Sequence, residues 1–149
     1  MTFKEKVCAY YALNIQDKID VFKDMISALT EDAKNDSKGS AGDKHETALS
    51  MMHLEQEKLN YKILENINAK KAFDEINFSR KLDKVILGSL VQANSTFFLV
   101  SVALSKTTID GHTIYGLSTD SPLAKALLGQ KIGYSFKINN SEYVINDII

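Results

Sequence analysis

The sequence predicts an α+β protein in which two long helices precede a small β-rich domain. Apolar residues recur at helical spacing through most of the first half, and a single polar, glycine-containing segment interrupts them. From about residue 85 onward, β-branched and aromatic residues follow one another at a shorter period. This change of pattern near residue 80 predicts two domains, residues 1–80 and 81–149.

The first helix is predicted over residues 3–34. Its length would be about 48 Å at a rise of about 1.5 Å per residue. No proline or glycine precedes Gly39. The apolar residues are three or four positions apart and form one stripe: Val7, Tyr11, Ile15, Ile19, Phe22, Ile26, Leu29 and Ala33.

A second helix is predicted over residues 45–76, after a turn segment rich in Asn, Asp, Ser and Gly at residues 35–43. Two long helices joined by one turn fold back on each other, because each can bury its stripe only against the other. We therefore expect an antiparallel helical hairpin, close to a two-stranded coiled coil with an imperfect seam. The stripe of the second helix contains Met52, Leu59, Ile63 and Ile67, interrupted by Gln56, Asn66 and Lys70.

The second half predicts an antiparallel sheet with one short helix. The helix should start at Ser121 as N-cap, with Pro122 in its first turn, and end at Gly129. Asn139 and Asn140 should form the turn of a hairpin, since Asn tolerates the left-handed conformation. The expected strands are residues 85–93, 96–104, 111–116, 135–139 and 141–148.

Composition excludes several classes of protein. A net charge of −1 and a pI near 6.3 argue against independent high-affinity binding of nucleic acid, which usually requires a basic excess. The one cysteine, Cys8, cannot form an intramolecular disulfide, and its apolar neighbours predict a buried, inert thiol. The sequence has neither a signal peptide nor a stretch long enough to span a membrane, so we expect a soluble, cytoplasmic protein.

The turn between the helices carries the one acidic pair that suggests chemistry. Asp43 and Glu46 are three residues apart at the start of the second helix, where two carboxylates can contribute to the shell of a hard cation such as Mg²⁺. The same spacing also fits a capping box, in which Asp43 caps the helix and Glu46 reaches back to it. The three histidines are too dispersed to predict a zinc site.

The second half resembles the C-terminal domain of the Gre transcript-cleavage factors. The match rests mainly on residues 118–133, where Ser-Pro, a small-residue helix, Leu-x-Gly-Lys-like residues and a second glycine follow in order. Residues 88–91 are similar to the first strand of that domain, and residues 142–148 to its last. The resemblance implies an FKBP-like fold that holds RNA polymerase, with Asp120, Ser121, Pro122 and Leu123 at the contact.

The first half is similar to the same family at the helical turn. Residues 42–48, Gly-Asp-Lys-His-Glu-Thr-Ala, resemble the family's Gly-Asp-Leu-x-Glu-Asn-Ala with both acids in register. The resemblance implies that the coiled coil enters the polymerase secondary channel. There Asp43 and Glu46 would help to hold a Mg²⁺ ion shared with the polymerase, close to the RNA 3′ end. No intrinsic cofactor is implied, and the protein alone would not be an enzyme.

Several residues depart from the family pattern. Lys44 replaces leucine, Thr47 replaces asparagine, and residues 49–51 lack the family's tyrosine. The turn is also several residues longer, with residues 36–41 as the surplus, and Tyr134 stands where aspartate usually follows Gly133. These departures concern the transcript-cleavage activity more than the polymerase contact.

The leading hypothesis is a monomeric elongation factor that stimulates RNA polymerase to cleave backtracked RNA. One alternative is a secondary-channel regulator without cleavage activity. A second is an FKBP-like prolyl isomerase or chaperone, which the absence of tryptophan disfavours. A third is a coiled-coil adaptor that dimerises through the hairpin, which sedimentation would distinguish from a monomer.

Overall fold

The computed structural model describes the backbone of residues 1–37 and 43–149 and the side chains of residues 1–34 and 46–149. Over these residues it confirms the α+β class, with long helices first and then a six-stranded sheet with one short helix. Helices α1, α2 and α3 cover Phe3–Ser37, Asp43–Asp74 and Pro122–Leu127. Strands β1 to β6 cover Leu90–Ala93, Thr96–Ser101, Leu104–Ile109, His112–Ser118, Ser135–Ile138 and Ser141–Ile148.

Both long helices were predicted to within three residues at each end. With 35 and 32 residues, α1 and α2 are about 52 and 48 Å long. Helix α1 begins with a capping box, in which the Glu5 N–H donates to Thr2 Oγ1 and the Thr2 N–H donates to Glu5 Oε2. Over residues 1–37 and 43–149, no helix has an apolar stretch long enough to cross a lipid bilayer.

The chain forms two compact units. The helical unit comprises residues 13–70, and the sheet unit comprises residues 1–12 together with residues 71–149. Helix α1 therefore contributes its first turns to the sheet unit and the rest of its length to the helical unit. The two units are described in turn.

In the helical unit, α1 and α2 contact each other at two places that define their direction. Lys62 Nζ lies 5.6 Å from the centroid of the Phe22 ring, and Gln56 Nε2 lies 3.0 Å from Thr30 Oγ1. Residue numbers thus rise along α1 as they fall along α2, so these two helices run antiparallel. Among the described side chains of this unit, the buried apolar ones are Ile15, Ile19 and Leu59.

Gln56, one of the polar interruptions of the second stripe, has a structural role. Its amide donates to the Thr30 hydroxyl, and that hydroxyl in turn donates to the Ile26 carbonyl oxygen at 3.0 Å. A half-buried polar layer of this kind favours one alignment of two helices, because sliding them would leave the amide without its partner. The polar interruption at Gln56 therefore helps to fix the alignment of α1 with α2.

The sheet unit contains strands in the order β3-β4-β2-β1-β6-β5. The expectation of a purely antiparallel sheet was wrong at one place: β2 and β4 are parallel, with Phe98 opposite Tyr115. The reason is β3, which was not predicted as a strand. It forms the outer edge of the sheet, so that β4 returns between β3 and β2 in the same direction as β2.

Two features explain why β3 is difficult to find in the sequence. Its residues are mostly Ser, Thr and Lys, and its pairing with β4 is irregular between Leu104 and Thr107. Leu104 lies opposite Gly116, and a Cβ atom at that glycine would overlap the Leu104 side chain. The glycine therefore allows the close approach of the edge strand at this point.

The strand expected over residues 85–93 is shorter than predicted, since only Leu90–Ala93 belongs to the sheet. Before it the chain makes a tight turn, in which Ser89 Oγ accepts the Ile86 N–H at 2.9 Å. Gly88 has a φ of +94°, and a Cβ atom there would lie 2.9 Å from the Asn77 carbonyl oxygen. The left-handed conformation of Gly88 and its packing against backbone therefore prevent residues 85–89 from joining the strand, although their composition is typical of a strand.

The hairpin turns follow their local sequences. Asn139 and Asn140 join β5 to β6 with φ values of 49° and 69°, which confirms the predicted hairpin. Asp110 and Gly111 join β3 to β4 in the same way, with φ values of 51° and 79°. Two successive residues with positive φ give a turn whose twist matches that of the paired strands.

Asn94, in the turn between β1 and β2, binds this turn to β6. Its Nδ2 donates to the Glu142 carbonyl oxygen at 3.0 Å, and its Oδ1 accepts the Val144 N–H at 3.3 Å. Asn146 Nδ2 donates to the Asn94 carbonyl oxygen at 3.0 Å. Asn94 thus adopts the left-handed conformation that the turn needs, with a φ of 57°, and its side-chain amide both donates and accepts a hydrogen bond.

The core of the sheet unit lies on the face that packs against α3. Strand residues alternate between faces, so Phe98 belongs to this core and Phe97 to the opposite face. Leu127 of α3 is fully buried in the core. The buried residues of this cluster are Val85, Val91, Ala93, Phe98, Val100, Leu127, Phe136, Ile145 and Ile148.

The first turns of α1 contact the opposite face. The Phe3 and Phe97 rings have centroids 4.8 Å apart, and Val7 and Tyr11 are fully buried. The Tyr11 hydroxyl lies 2.9 Å from the Ser105 carbonyl oxygen and 3.3 Å from the Ile114 carbonyl oxygen. These acceptors belong to β3 and β4, where their pairing is irregular, so the hydroxyl supplies a donor where the ladder is interrupted.

We predict that Tyr11→Phe lowers the free energy of unfolding of the sheet unit by about 1–2 kcal/mol at neutral pH, because it removes the hydroxyl that donates to the part-buried Ser105 and buried Ile114 carbonyl oxygens. Burial raises the pKa of the Tyr11 hydroxyl to about 12, above the value of about 10 in an unfolded chain. The hydroxyl therefore contributes fully below about pH 10, and its contribution is lost as the pH rises through 12.

Urea denaturation followed by near-ultraviolet circular dichroism would measure both effects. The exposed neighbour Tyr10 gives the matched control, since Tyr10→Phe removes a hydroxyl without a buried acceptor. Equal stabilities of the two variants at neutral pH would contradict the assigned role of Tyr11.

Candidate functional site

Helix α2 begins at Asp43, two residues before its predicted start, and Glu46 lies in its first turn. The backbone thus places positions 43 and 46 three residues apart within one helix, the spacing at which residues are neighbours. The Glu46 side chain is exposed. The Asp43 side chain and turn residues 38–42, which include much of the predicted surplus at 36–41, lie outside the described residues.

Negative charge is concentrated where α1 ends and α2 begins. The segment from Asp24 to Glu57 contains eight acidic residues and three lysines, a net charge of −5, whereas the whole chain has a net charge of −1. This asymmetry is visible in the sequence only when the segment is counted alone. A strongly acidic end suits a cation or a basic surface better than it suits nucleic acid directly.

The histidines do not assemble a metal site within the described residues. His53 is exposed on α2. His112 contacts two aromatic rings edge to face, Phe3 at 5.4 Å and Phe97 at 5.2 Å between centroids, so its role is packing. Among the described side chains, no three of His, Cys, Asp or Glu lie close enough together to hold one ion.

The start of α3 has the predicted cap. Ser121 Oγ accepts the Ala124 N–H at 3.1 Å and donates to the Ser118 carbonyl oxygen at 2.7 Å. Pro122 follows in the first turn, where a proline loses no hydrogen bond. The Ser121 hydroxyl thus donates its one proton inside the molecule, and one of its two lone pairs accepts the helix N–H.

The four residues expected at the polymerase contact differ in what they offer to a partner. Asp120 and Pro122 are exposed, whereas Ser121 is half-buried. Leu123 is also half-buried and packs against the core cluster of the sheet unit. The exposed surface at this end of α3 is thus formed by Asp120 and Pro122, and a charge at position 123 would disturb the core as well as the surface.

Cys8 is half-buried, and so less buried than its apolar neighbours predicted. Burial raises its pKa to about 11, an effect that the positive charge of Lys4 only partly opposes. At neutral pH the thiol is therefore protonated, and a protonated thiol is a poor nucleophile.

Five aromatic side chains lie together in the sheet unit. The Phe98 ring is stacked on Tyr115 at 5.6 Å and meets Phe136 at 6.1 Å between centroids. Phe136 is in turn stacked on Tyr143 and on Tyr134, at 5.5 and 6.2 Å. Phe98 and Phe136 belong to the buried core cluster, and the three half-buried tyrosines pack against it. Tyr134, the residue that departs from the family pattern, belongs to this stack.

Comparison of the chain with protein-family models, characterised proteins and solved structures gave no match.

We predict that Ser121→Ala lowers the free energy of unfolding of the sheet unit by about 1 kcal/mol, because the Ala124 N–H loses its acceptor. Ser121→Thr keeps the hydroxyl and is the matched control. Chemical denaturation of both variants would test the assignment. If Thr destabilised the unit as much as Ala does, the bond from the hydroxyl would not be the cause.

Proposed function

We propose that the protein binds a bacterial-type RNA polymerase and inserts the end of its helix pair, where α2 begins, into the secondary channel. There it stimulates the polymerase to cleave backtracked RNA. The observation that carries the proposal is the acidic pair Asp43 and Glu46 in the first turn of a long helix that runs antiparallel to another. The resemblance of residues 118–133 to the Gre factors supports the same conclusion.

The helix pair has the dimensions and charge for this role. The parts of α1 and α2 that belong to the helical unit, residues 13–37 and 43–70, are each about 40 Å long, which can carry a side chain deep into a channel. The polar layer of Thr30 and Gln56 resists sliding of one helix past the other. The net charge of −5 between Asp24 and Glu57 concentrates carboxylates at the end that would enter. Such an end favours a site that contains cations.

The donor set fits a Mg²⁺ ion held jointly with the polymerase. Mg²⁺ prefers carboxylate oxygens and retains several waters, so an exposed carboxylate such as Glu46 can complete a shell that another protein provides in part. The bound ion would lower the pKa of a coordinated water. Asp43 and Glu46 would supply negative charge and hold that water in position, while the polymerase performs the cleavage.

The alternative within this proposal is a regulator that occupies the channel without stimulating cleavage. It is favoured by Lys44, which adds a positive charge directly beside Asp43, and by Thr47 in place of the family's asparagine. A basic residue next to a carboxylate competes with a metal ion for it. Both alternatives share the same polymerase contact and differ only in the chemistry at the beginning of α2.

The polymerase contact itself is assigned to Asp120 and Pro122, supported by Ser121 and Leu123 beneath them. The Ser121 cap fixes the first turn of α3, and Leu123 anchors it to the core. The two exposed residues therefore stand on a rigid base, which favours specific binding because little flexibility is lost on association. The packing of the five aromatic rings on each other disfavours the prolyl isomerase alternative.

We predict that Asp43→Asn reduces stimulated RNA cleavage by about tenfold or more, which is typical of a weakened metal site. Asparagine caps a helix about as well as aspartate, so thermal stability should change little. Cleavage of labelled RNA in stalled elongation complexes, with a parallel polymerase pull-down, would measure both activity and binding.

Three outcomes of this experiment are distinguishable. Unchanged cleavage in the variant would show that Asp43 is only a cap. Binding by the wild-type protein without any cleavage would support the channel regulator instead. Absence of polymerase binding would contradict the proposed function as a whole.

We also predict that Asp120→Lys weakens polymerase binding about tenfold, equivalent to about 1.4 kcal/mol. Asp120 is exposed, and its side chain forms no hydrogen bond or ion pair with the side chains that the structure describes; only its backbone N–H bonds, to Ser118 Oγ. Glu142→Lys is the matched control, because it reverses an exposed charge on β6 in the same unit. An equal loss of affinity in both variants would indicate a general charge effect and not a contact at Asp120.

A further inference from the structure

The helical unit contains an open groove of about 340 Å³ between α1 and α2 that no step of the proposed function uses. Its size is within the range of about 300–1,000 Å³ that is usual for binding sites. Both helices contribute to its walls, and most of the lining side chains are apolar. The residues that line it are Leu29, Asp32, Ala33, Ala48, Leu49, Met51, Met52 and Glu55.

The groove is open because the two helices carry small side chains near the end of α1 and the beginning of α2. Elsewhere in this unit Ile19 and Leu59 are buried, whereas Ala33 is only half-buried and Ala48 is exposed. An alanine leaves a gap where a larger side chain would meet the opposite helix. Met51, which is 64% exposed, also lines this gap. The apolar walls of the groove therefore remain in contact with water.

Two carboxylates stand at the groove, one on each helix. Asp32 belongs to α1 and Glu55 to α2, and both residues are exposed. Neither carboxylate forms an ion pair or a hydrogen bond with a side chain that the structure describes. Both belong to the segment from Asp24 to Glu57, whose net charge is −5. An occupant of the groove therefore meets negative charge on both walls, which favours positive charge on the occupant.

We propose that this groove binds a basic amphipathic helix of a protein partner. A third helix can lie along the groove between two antiparallel helices and complete a three-helix core, with its apolar side chains inserted where the alanines leave the gap. Its Lys or Arg residues flank the apolar stripe and meet Asp32 and Glu55. Met51 and Met52 suit such a partner, because the unbranched thioether side chain adapts to apolar surfaces of different shape.

The test uses full-length protein labelled with ¹³C at the methionine methyl groups. It contains no polymerase, so its result does not depend on the proposed function. The probe is a synthetic peptide of leucine and lysine, LKKLLKLLKKLLKL, whose leucines fall on one side of a helix. We expect saturable chemical-shift changes at Met51 and Met52, which line the groove, and none at Met1 and Met25, which do not.

Two substitutions separate the apolar contribution from the charged one. Ala48→Leu fills the groove and should weaken binding at least about tenfold. Its control is Ala72→Leu, at an exposed position of α2 outside the groove. Glu55→Gln keeps the groove and should weaken binding about threefold at low salt, whereas Glu65→Gln, an exposed acid of α2 outside the groove, should have no effect. Far-ultraviolet circular dichroism verifies that each variant retains its helices.

Two further peptides test the chemistry of the partner. LEELLELLEELLEL has the same apolar stripe with negative charge and should bind at least about tenfold more weakly. AKKAAKAAKKAAKA has the same positive charge without large apolar side chains and should shift neither Met51 nor Met52. The proposal is overturned if the basic peptide gives no saturable shift at Met52, if either other peptide binds as tightly, or if Ala48→Leu or Glu55→Gln leaves the affinity unchanged. Shifts of Met51 and Met52 that depend on protein concentration before peptide is added would show that a second copy covers the groove, which also contradicts the proposal.

Discussion

Burial of the apolar stripe of α1 is the constraint on which the rest of the structure depends. A helix of 35 residues with one apolar side cannot remain uncovered in water. The stripe is covered in two parts: Val7 and Tyr11 are buried in the sheet unit, whereas Ile15 and Ile19 are buried in the helical unit. One continuous pattern in the sequence therefore serves two cores, which explains why the stripe alone does not reveal where one unit ends and the other begins.

The features that could be predicted are those determined by neighbours in sequence. The two long helices, the cap at Ser121 and the turn at Asn139 and Asn140 each depend on a few adjacent residues. The parallel pair of β2 and β4 could not be predicted in this way, because it depends on the edge strand β3. The residues of β3 are mostly polar and do not show the apolar alternation that is typical of a strand. The strand prediction for residues 85–89 was wrong for a similar reason, because the backbone at Gly88 packs closely against the backbone of Asn77, which is eleven residues away in the sequence.

The same distinction applies to function. The acids Asp43 and Glu46 stand out because their spacing is local, and the structure adds that Glu46 is exposed in the first turn of α2. That Asp120 is exposed while Leu123 packs against the core could be seen only in the structure, because the sequence at the start of a helix does not show which residues face the core.

The bond from Tyr11 to Ser105 also has a consequence for the order of events during synthesis. Its two partners are separated by 94 positions, and the second acceptor, Ile114, by 103. The first turns of α1 leave the ribosome long before the strands that cover them, so their apolar side chains remain exposed to solvent while most of the chain is made. Closing such long loops is slow compared with helix formation. Val7 and Tyr11 therefore stay exposed to water until the strands that contain Ser105 and Ile114 have been made.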